Sequence, residues 1–154
     1  MRQIGIDVGN NGAIALVVDG VLESVVDMPC VEIKRGKTTK RQVSAQALAG
    51  IIKEMNPTQA AVEKVGSMPN QGVSSMFAFG RSSGVIEGVL AALEIPISYV
   101  QPTAWARVMG KGAGKDASRN RAMELFPDKQ DWFKLVKHDG RAEAVLIALW
   151  GSKQ

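Results

Sequence analysis

The stretch Ile4-Gly5-Ile6-Asp7-Val8-Gly9 decides the fold that we predict for this chain. Its apolar residues alternate with Gly5 and Asp7, which is the period-two pattern of a β-strand with one apolar face. An Asp inside a strand is unfavourable, because desolvating an unpaired carboxylate costs several kcal/mol. Asp7 is therefore either satisfied by neighbouring backbone N–H groups or a Lys, or it belongs to a site that other acidic residues share.

The composition is typical of a globular protein. The chain has 154 residues, of which 45% are apolar and 22% charged, so we expect one domain over residues 1–154 with a buried core. Cys30 is the only cysteine, which excludes an internal disulfide and favours a reducing compartment. We expect no secretory signal and no membrane span, since no apolar run approaches the roughly 18 residues required. The net charge of +4 suits a polyanionic partner without requiring one.

The first part of the chain predicts a three-stranded antiparallel meander. Ala13 to Val18 is a nearly continuous apolar run, and Val21 to Met28 is another. Asp19-Gly20 lies between them, and this dipeptide between two apolar runs is a strong hairpin signal.

A helix and a fourth strand then bring in a second carboxylate. Ser44 is the predicted N-cap of a helix that ends before Pro57. Gln59 to Val65 follows as a strand, and a helical crossover favours a parallel pairing with the first strand. Functional groups collect at the carboxyl ends of parallel strands, so we expect Asp7 and Glu63 to meet there.

Two stretches are rich in basic residues. Residues 34–41 carry five positive charges in eight positions and have no apolar periodicity, which predicts an exposed loop. This loop is either a solvated connector or a contact for phosphates through Lys37 and Lys40. A second, glycine-rich basic stretch, residues 110–116, precedes a helix predicted from about Ala117 to Phe126. Lys115 on this stretch, and Arg119 and Arg121 on the helix, are available to phosphates.

The helix predicted from Val73 to Leu93 contains Gly80, Gly84 and Gly88 on one face. Each interior Gly costs about 1 kcal/mol relative to Ala, so a close approach of another backbone should compensate. That backbone belongs either to the sheet or to a second subunit.

The last predicted helix begins near His138 and carries Asp139 and Glu143 on nearly the same face. Like charges at this spacing destabilise a helix by a few tenths of a kcal/mol, and a divalent cation between them would reverse the sign. The alternative is that Asp139 is only an N-cap and Glu143 an acid that the helix dipole favours.

Together the acidic residues suggest a metal site of hard oxygen ligands. No thiolate or imidazole cluster accompanies them, so Mg²⁺ or Mn²⁺ fits and structural Zn²⁺ does not. Two such ions about 4 Å apart would activate a water and stabilise the leaving 3′-oxygen, as in many nucleases. The candidate ligands are Asp7, Glu63, Asp139 and Glu143.

The ordered motifs "IGIDVGNNGAIALV", "AAVEKVGSMPN", "FGRSSGVIEG" and "HDGRAEAVLIAL" resemble the RuvC-type Holliday-junction resolvases, in their short phage-like branch, over about residues 3–150. The resemblance implies an α/β, RNase H-like fold: a five-stranded mixed sheet whose first three strands are antiparallel, with helices on both faces. It also implies a homodimer that makes symmetric paired nicks in four-way branched DNA, leaving 5′-phosphate and 3′-hydroxyl ends. The expected compartment is the bacterial or phage-infected host cytoplasm.

The resemblance assigns ligands position by position. Asp7 and Glu63 match the first two metal ligands of the family, and Glu143 matches the last. The partner of the last ligand falls on Gly140, and Asp139 is one residue away, so this chain departs from the family pattern there.

Other positions of the family are matched less closely. His138 could supplement Asp139 as a ligand, and Lys115 lies near the place of a basic residue beside the scissile phosphate. The aromatic wedge of bacterial members is replaced by Gly66, which leaves Met68 or Phe77 as candidates for that role.

Three other functions compete with this interpretation. An RNase H-like nuclease that processes RNA would use similar carboxylates, and a catalytically inactive junction-binding module would keep the same fold. A sugar-kinase or actin-like ATPase also has an Asp-x-Gly motif after its first strand, but it needs two such domains, and 154 residues supply one.

Overall fold

The computed structural model covers residues 1–154 and contains seven strands, five α-helices and two 3₁₀ segments. None of its helices combines the length and the apolar character needed to cross a bilayer. The elements in chain order are β1 (Arg2–Asp7), β2 (Ala13–Val18), β3 (Val21–Asp27), β4 (Cys30–Arg35), β5 (Thr38–Val43), α1 (Ala45–Met55), β6 (Gln59–Glu63), α2 (Val73–Ala92), β7 (Ile97–Val100), α3 (Pro102–Val108), α4 (Ala117–Leu125), the 3₁₀ segments Pro127–Trp132 and Val136–His138, and α5 (Asp139–Gly151).

Five of the strands form one mixed sheet in the order β3-β2-β1-β6-β7. β1 pairs antiparallel with β2 and parallel with β6, while β3 is antiparallel to β2 and β7 is parallel to β6. The hairpin at Asp19-Gly20 has φ of 49° and 84° at these residues, as the predicted two-residue turn requires. The predicted meander, the parallel crossover and the five-stranded mixed sheet are confirmed.

Helices cover both faces of the sheet, as predicted. The alternation along β1 directs Ile4 and Ile6 into a core under α1 and α2, and Gly5 towards α5 on the other face. A Cβ at Gly5 would lie 2.2 Å from the Ala148 nitrogen and 2.3 Å from the Ala144 carbonyl oxygen. The backbone of α5 therefore rests directly on the central strand, which fixes the helix relative to β1.

The basic segment 34–41 is not a loop, so that prediction is wrong. β4 and β5 form a separate antiparallel hairpin in which Arg35 pairs with Thr38 across a two-residue turn. Gly36 begins the turn with φ of 62°, a conformation that glycine adopts without strain. The sequence pattern does not predict these strands, because an exposed two-stranded ribbon can carry charged side chains on both faces. A strand in a sheet with one buried face cannot, and it therefore shows the apolar alternation that residues 34–41 lack.

The glycines of α2 do not pack onto the sheet, which removes one of the two alternatives for this helix. A Cβ added at Gly80, Gly84 or Gly88 would meet no atom within 4 Å. The sheet is contacted instead by the opposite face of α2, which buries Ile86 and Leu90. The glycine face is left open to solvent or to another molecule.

Gly5→Ala should destabilise the protein by about 3 kcal/mol, since the added methyl group meets the backbone of α5 rather than a side chain that can move. Urea unfolding measures the change. Gly50→Ala is the matched control, because its Cβ would meet nothing on α1, and it should stabilise the protein by up to about 1 kcal/mol. Equal effects of the two substitutions would contradict the close contact between α5 and β1.

Candidate active site

Three of the predicted acidic residues come together at the carboxyl end of the sheet. β1 and β6 are paired in parallel as far as Ile6 and Val62, so Asp7 and Glu63 end adjacent strands. Glu143 lies on α5, which the Gly5 contact holds against β1. The negative charges of Glu143 and Glu63 both act on Asp7. We call these three residues, Asp7, Glu63 and Glu143, the acidic cluster.

Asp7 is the member of the acidic cluster whose negative charge has the fewest compensating contacts. Its pKa is raised well above the ordinary value, first because protein surrounds the carboxyl group and then because Glu143 and Glu63 repel its charge. No side-chain hydrogen bond or ion pair of the structure involves its carboxylate. The alternative in which backbone N–H groups or a Lys satisfy Asp7 is therefore not observed.

Glu63 has one direct hydrogen-bond partner. The indole Nε1 of Trp105, on α3, donates to Oε1 of Glu63 over 2.9 Å. Burial raises the pKa of Glu63 and the charge of Glu143 raises it further, while this hydrogen bond and the charge of Lys111 act in the opposite direction. Trp105 is only 2% exposed, so it holds the Glu63 carboxylate from inside the core.

Glu143 is held by residues from two neighbouring segments. Its Oε1 accepts a hydrogen bond of 3.2 Å from the hydroxyl of Ser118 and lies 3.7 Å from Nζ of Lys111. The same Lys111 ammonium is 5.1 Å from the centre of the Trp105 ring. Sequence reasoning missed these three supporting residues. The only sequence signal for Lys111 is its place in the glycine-rich basic stretch, where Lys115 is the predicted phosphate contact.

Asp139 and Arg119 bind each other. Nε of Arg119 donates to Oδ1 of Asp139 over 2.7 Å, and the guanidinium also pairs with Asp116 and donates to the carbonyl of Lys134 over 3.2 Å. Arg119 is 6% exposed. The structure thus places a predicted metal ligand and a predicted phosphate contact in one ion pair, which uses Oδ1 of Asp139 and the buried guanidinium of Arg119.

Residue 140, which follows Asp139 on α5 and which the resemblance aligns with a metal ligand, is a glycine for a steric reason. A Cβ there would lie 2.3 Å from the carbonyl oxygen of Asn11 and 3.1 Å from Oδ2 of Asp7. No side chain fits between the start of α5 and the turn that follows β1. The position that the resemblance pairs with a metal ligand is therefore closed to any residue but glycine.

His138 is buried and accepts a hydrogen bond from its own segment of chain. It is 5% exposed, and its Nδ1 accepts a hydrogen bond of 3.3 Å from the backbone nitrogen of Leu135. Burial lowers the pKa of His138, as do the charges of Arg141 and Lys137, whereas Asp27 raises it. The imidazole therefore belongs to a polar group beside β3.

The acidic cluster fits a divalent cation in charge and donor type. No three His, Cys, Asp or Glu side chains of the chain stand close enough in this structure to hold one ion together. Glu143 and Glu63 nevertheless raise the pKa of Asp7, and Glu143 also raises the pKa of Glu63, in a partly buried place where Asp7 has no partner. An oxygen-only donor set of this kind suits Mg²⁺ or Mn²⁺, whose charge would relieve the repulsion.

Three of the other predicted phosphate contacts are exposed. Lys37 lies in the turn between β4 and β5, Lys40 lies on β5, and Lys115 precedes α4. None of the ion pairs in the structure includes these three residues. Their charges are available to a polyanion.

Known proteins share this architecture. No family model matches the chain. The chain is 33% identical over 157 residues to the crossover junction endodeoxyribonuclease RuvC of Prochlorococcus marinus (strain MIT 9301), with 97% of this chain and 94% of that protein covered. It is 34% identical over 85 residues to the chloroplastic Holliday junction resolvase MOC1 of Chlamydomonas reinhardtii, covering 54% of this chain and 10% of the relative.

A solved structure gives the same picture of the fold. The structure of Thermus thermophilus RuvC in complex with a Holliday junction substrate superposes with a TM-score of 0.62 at 15% identity, covering 97% of this chain and 91% of the other. The architecture is thus the RNase H-like fold of the RuvC-type resolvases. With the sequence match over nearly the whole chain, the protein belongs to the RuvC family of crossover junction endodeoxyribonucleases.

Asp7→Asn should stabilise the metal-free protein by about 1–3 kcal/mol at neutral pH, because it removes an unpaired charge. The folded carboxyl keeps its proton to a higher pH than the unfolded one, so the folded state binds more protons between the two pKa values. The free energy of unfolding of the parent therefore falls as the pH rises through this window. Urea unfolding between pH 4 and 8 in EDTA measures it, and the same slope in the variant would contradict the assignment.

Asp139→Asn should cost about 1–2 kcal/mol of stability, since it deprives the buried Arg119 guanidinium of a charged acceptor. Glu143→Gln should cost less or even stabilise, because it removes one of the mutually repelling charges. Urea unfolding of the two variants in the absence of metal gives the free energy of unfolding of each. The comparison distinguishes an acid that stabilises the fold from an acid that belongs to the acidic cluster. A larger loss for Glu143→Gln would reverse this assignment.

Proposed function

We propose that this protein is a metal-dependent endonuclease that resolves four-way DNA junctions by symmetric paired nicks. The observation that carries the proposal is the meeting of Asp7, Glu63 and Glu143 at one end of the sheet. Family membership supports it, because the similar proteins are named as a crossover junction endodeoxyribonuclease and a Holliday junction resolvase.

The acidic cluster is the proposed place for the metal, with Asp7 central because β1 lies in the middle of the sheet. Mg²⁺ or Mn²⁺, two ions per site, would supply Lewis acidity for an attacking water and for the leaving 3′-oxygen, giving 5′-phosphate and 3′-hydroxyl ends. Asp139, whose Oδ1 is bonded to Arg119, is the proposed fourth ligand.

The surrounding residues prepare the carboxylates for this role. Trp105 orients Glu63 and Ser118 orients Glu143, each through one hydrogen bond from a helix packed beside the site. Lys111 brings a positive charge that partly offsets the repulsion among the acids. Groups that are already oriented lose little freedom when a substrate binds, which is the advantage of such supporting contacts.

The proposed DNA contacts are the exposed lysines Lys37, Lys40 and Lys115, and Arg119 is left out because it is buried in its ion pair. Contacts of this type bind phosphates without reading sequence, so affinity should fall steeply with salt. Selectivity for a four-way junction would then come from its shape and deformability.

A homodimer accounts for two nicks, since a four-way junction has near two-fold symmetry and an isologous pair presents two equal sites. The open face of α2 at Gly80, Gly84 and Gly88 is a suitable place for the second subunit, because nothing in the chain covers it. Each subunit would work as one catalytic domain over residues 1–154, in the cytoplasm of a bacterium or an infected host.

Asp7→Asn and Glu143→Gln should each lower the rate of cleavage of a synthetic four-way junction by at least about a hundredfold in Mg²⁺, with junction binding retained. Gel analysis of nicks at matched positions on opposed strands measures the rate. Glu54→Gln is the control, because Glu54 is exposed on α1 away from the cluster and should leave the rate unchanged.

Three results would contradict the proposal. A parent protein that never cuts in Mg²⁺ or Mn²⁺ would support the inactive junction-binding module. Faster cleavage of a structured RNA than of the junction would support the RNA-processing alternative. Full activity of Asp7→Asn would move the active site elsewhere.

A further inference from the structure

Lys111 is the basic residue that contacts the acidic cluster. Its Nζ lies 3.7 Å from Oε1 of Glu143, and its charge also acts on Glu63. No other Lys or Arg forms an ion pair with a member of the cluster. The fold thus brings three carboxylates and a single ammonium group to one place, and the ammonium offsets one of the three negative charges.

The end of α3 fixes the backbone of Lys111. Gly110 has φ of 68°, the left-handed conformation in which a glycine closes a helix. The backbone nitrogen of Gly110 donates to the carbonyl of Arg107 over 3.2 Å, and that of Lys111 donates to the carbonyl of Ala106 over 2.9 Å. These are the two hydrogen bonds of a Schellman motif, so Lys111 leaves the helix at a defined point.

The ring of Trp105 directs the side chain of Lys111. The ammonium is 5.1 Å from the centre of this ring, within the distance of about 6 Å at which an indole attracts a cation. Trp105 is 2% exposed, and its Nε1 donates to Glu63 over 2.9 Å. One buried residue therefore orients both a carboxylate of the cluster and the cation beside it, which distinguishes this contact from an ordinary surface ion pair.

The ammonium is close to Glu143 without being hydrogen-bonded to it. The distance of 3.7 Å exceeds the range of an N–H···O hydrogen bond. The charges that shift the pKa of Asp7 are those of Glu143 and Glu63 and do not include that of Lys111. Lys111 therefore lies on the side of the cluster remote from Asp7, and the place next to Asp7 is left for a divalent cation.

We infer that Lys111 takes the place of one divalent cation in the acidic cluster as long as no nucleic acid is bound. Three carboxylates and one ammonium leave two negative charges, which a single Mg²⁺ or Mn²⁺ neutralises. The charge of Asp139 does not alter this balance, because it is paired with that of Arg119. A second ion would enter a neutralised cluster close to the ammonium, and like charges at such short range repel strongly.

The inference rests on the proposed function, because it concerns the same metal site. It adds a form of regulation to that site: the DNA-free protein holds only one of the two proposed ions, and the second ion is left to enter with the substrate.

The test is a titration of the DNA-free, full-length protein with Mn²⁺, in which electron paramagnetic resonance measures the free hexaaqua ion. The parent should bind about one ion per chain. Lys111→Met should bind about two, the second at least about tenfold more tightly than the parent does, because the variant lacks the neighbouring positive charge. Lys111→Arg keeps a positive charge and should bind like the parent.

Lys129→Met is the matched control. Lys129 also lies over an indole, 5.0 Å from the centre of the Trp132 ring, and also pairs with an acid, Asp128, over 3.4 Å. No ion pair joins Lys129 to the acidic cluster, so this variant should bind Mn²⁺ like the parent. Lys111→Gln is a second neutral variant with the same expected result as Lys111→Met, and urea unfolding in EDTA checks that every variant is folded.

Two ions bound by the DNA-free parent would overturn the inference, as would a single ion bound by both neutral variants of Lys111. An equal gain in Lys129→Met would also overturn it, because the effect would then follow from net charge alone. Absence of Mn²⁺ binding to the parent and to all variants is a further contrary result, whether or not the parent cuts DNA.

Junction cleavage by the parent in Mg²⁺ is scored separately. A parent that cuts the junction but binds two ions without DNA contradicts the inference and leaves the proposed function intact. If the parent binds one ion, the neutral variants bind two, and the parent never cuts, the inference stands and the proposed function fails.

Discussion

The contact between α5 and the central strand is the constraint on which the site depends. It exists because Gly5 has no side chain where the backbone of Ala144 and Ala148 passes over β1. Gly140 repeats the arrangement one turn earlier, against the carbonyl of Asn11. With both glycines in place, the helix lies flat on the strand, and Glu143 is held beside Asp7.

The consequence of this packing is an accumulation of negative charge that folding alone does not relieve. Asp7 has no partner, whereas Glu63 and Glu143 each receive one hydrogen bond and share the influence of Lys111. Carboxylates held close together in this way favour either a proton or a cation. In the proposed function, a bound cation offsets this cost in the stability of the metal-free protein.

Lys111 lies beside this cluster, whereas most of the other positive charges lie on exposed elements around it. The β4–β5 hairpin carries many of them, and Arg41 ties the hairpin to the turn after β1 through Asn10 and Asn11. A polyanion would thus be attracted to the elements around the acidic cluster. Arg119 is the exception, because its charge is used inside the protein to hold Asp116 and Asp139.

The sequence by itself determined the meander, the parallel pairing of β1 with β6, and the meeting of Asp7 with Glu63, because apolar periodicity and crossover rules depend on short stretches of chain. Only the tertiary structure decided the partners of long side chains. The helical spacing between Asp139 and Glu143 is the same whether Asp139 binds a metal or another side chain. In the structure, Arg119, 20 residues away in the sequence, binds the Asp139 carboxylate. The sequence wrongly predicted a loop at residues 34–41 and left open what the glycine face of α2 contacts, since burial is a property of the packed elements and not of their local pattern.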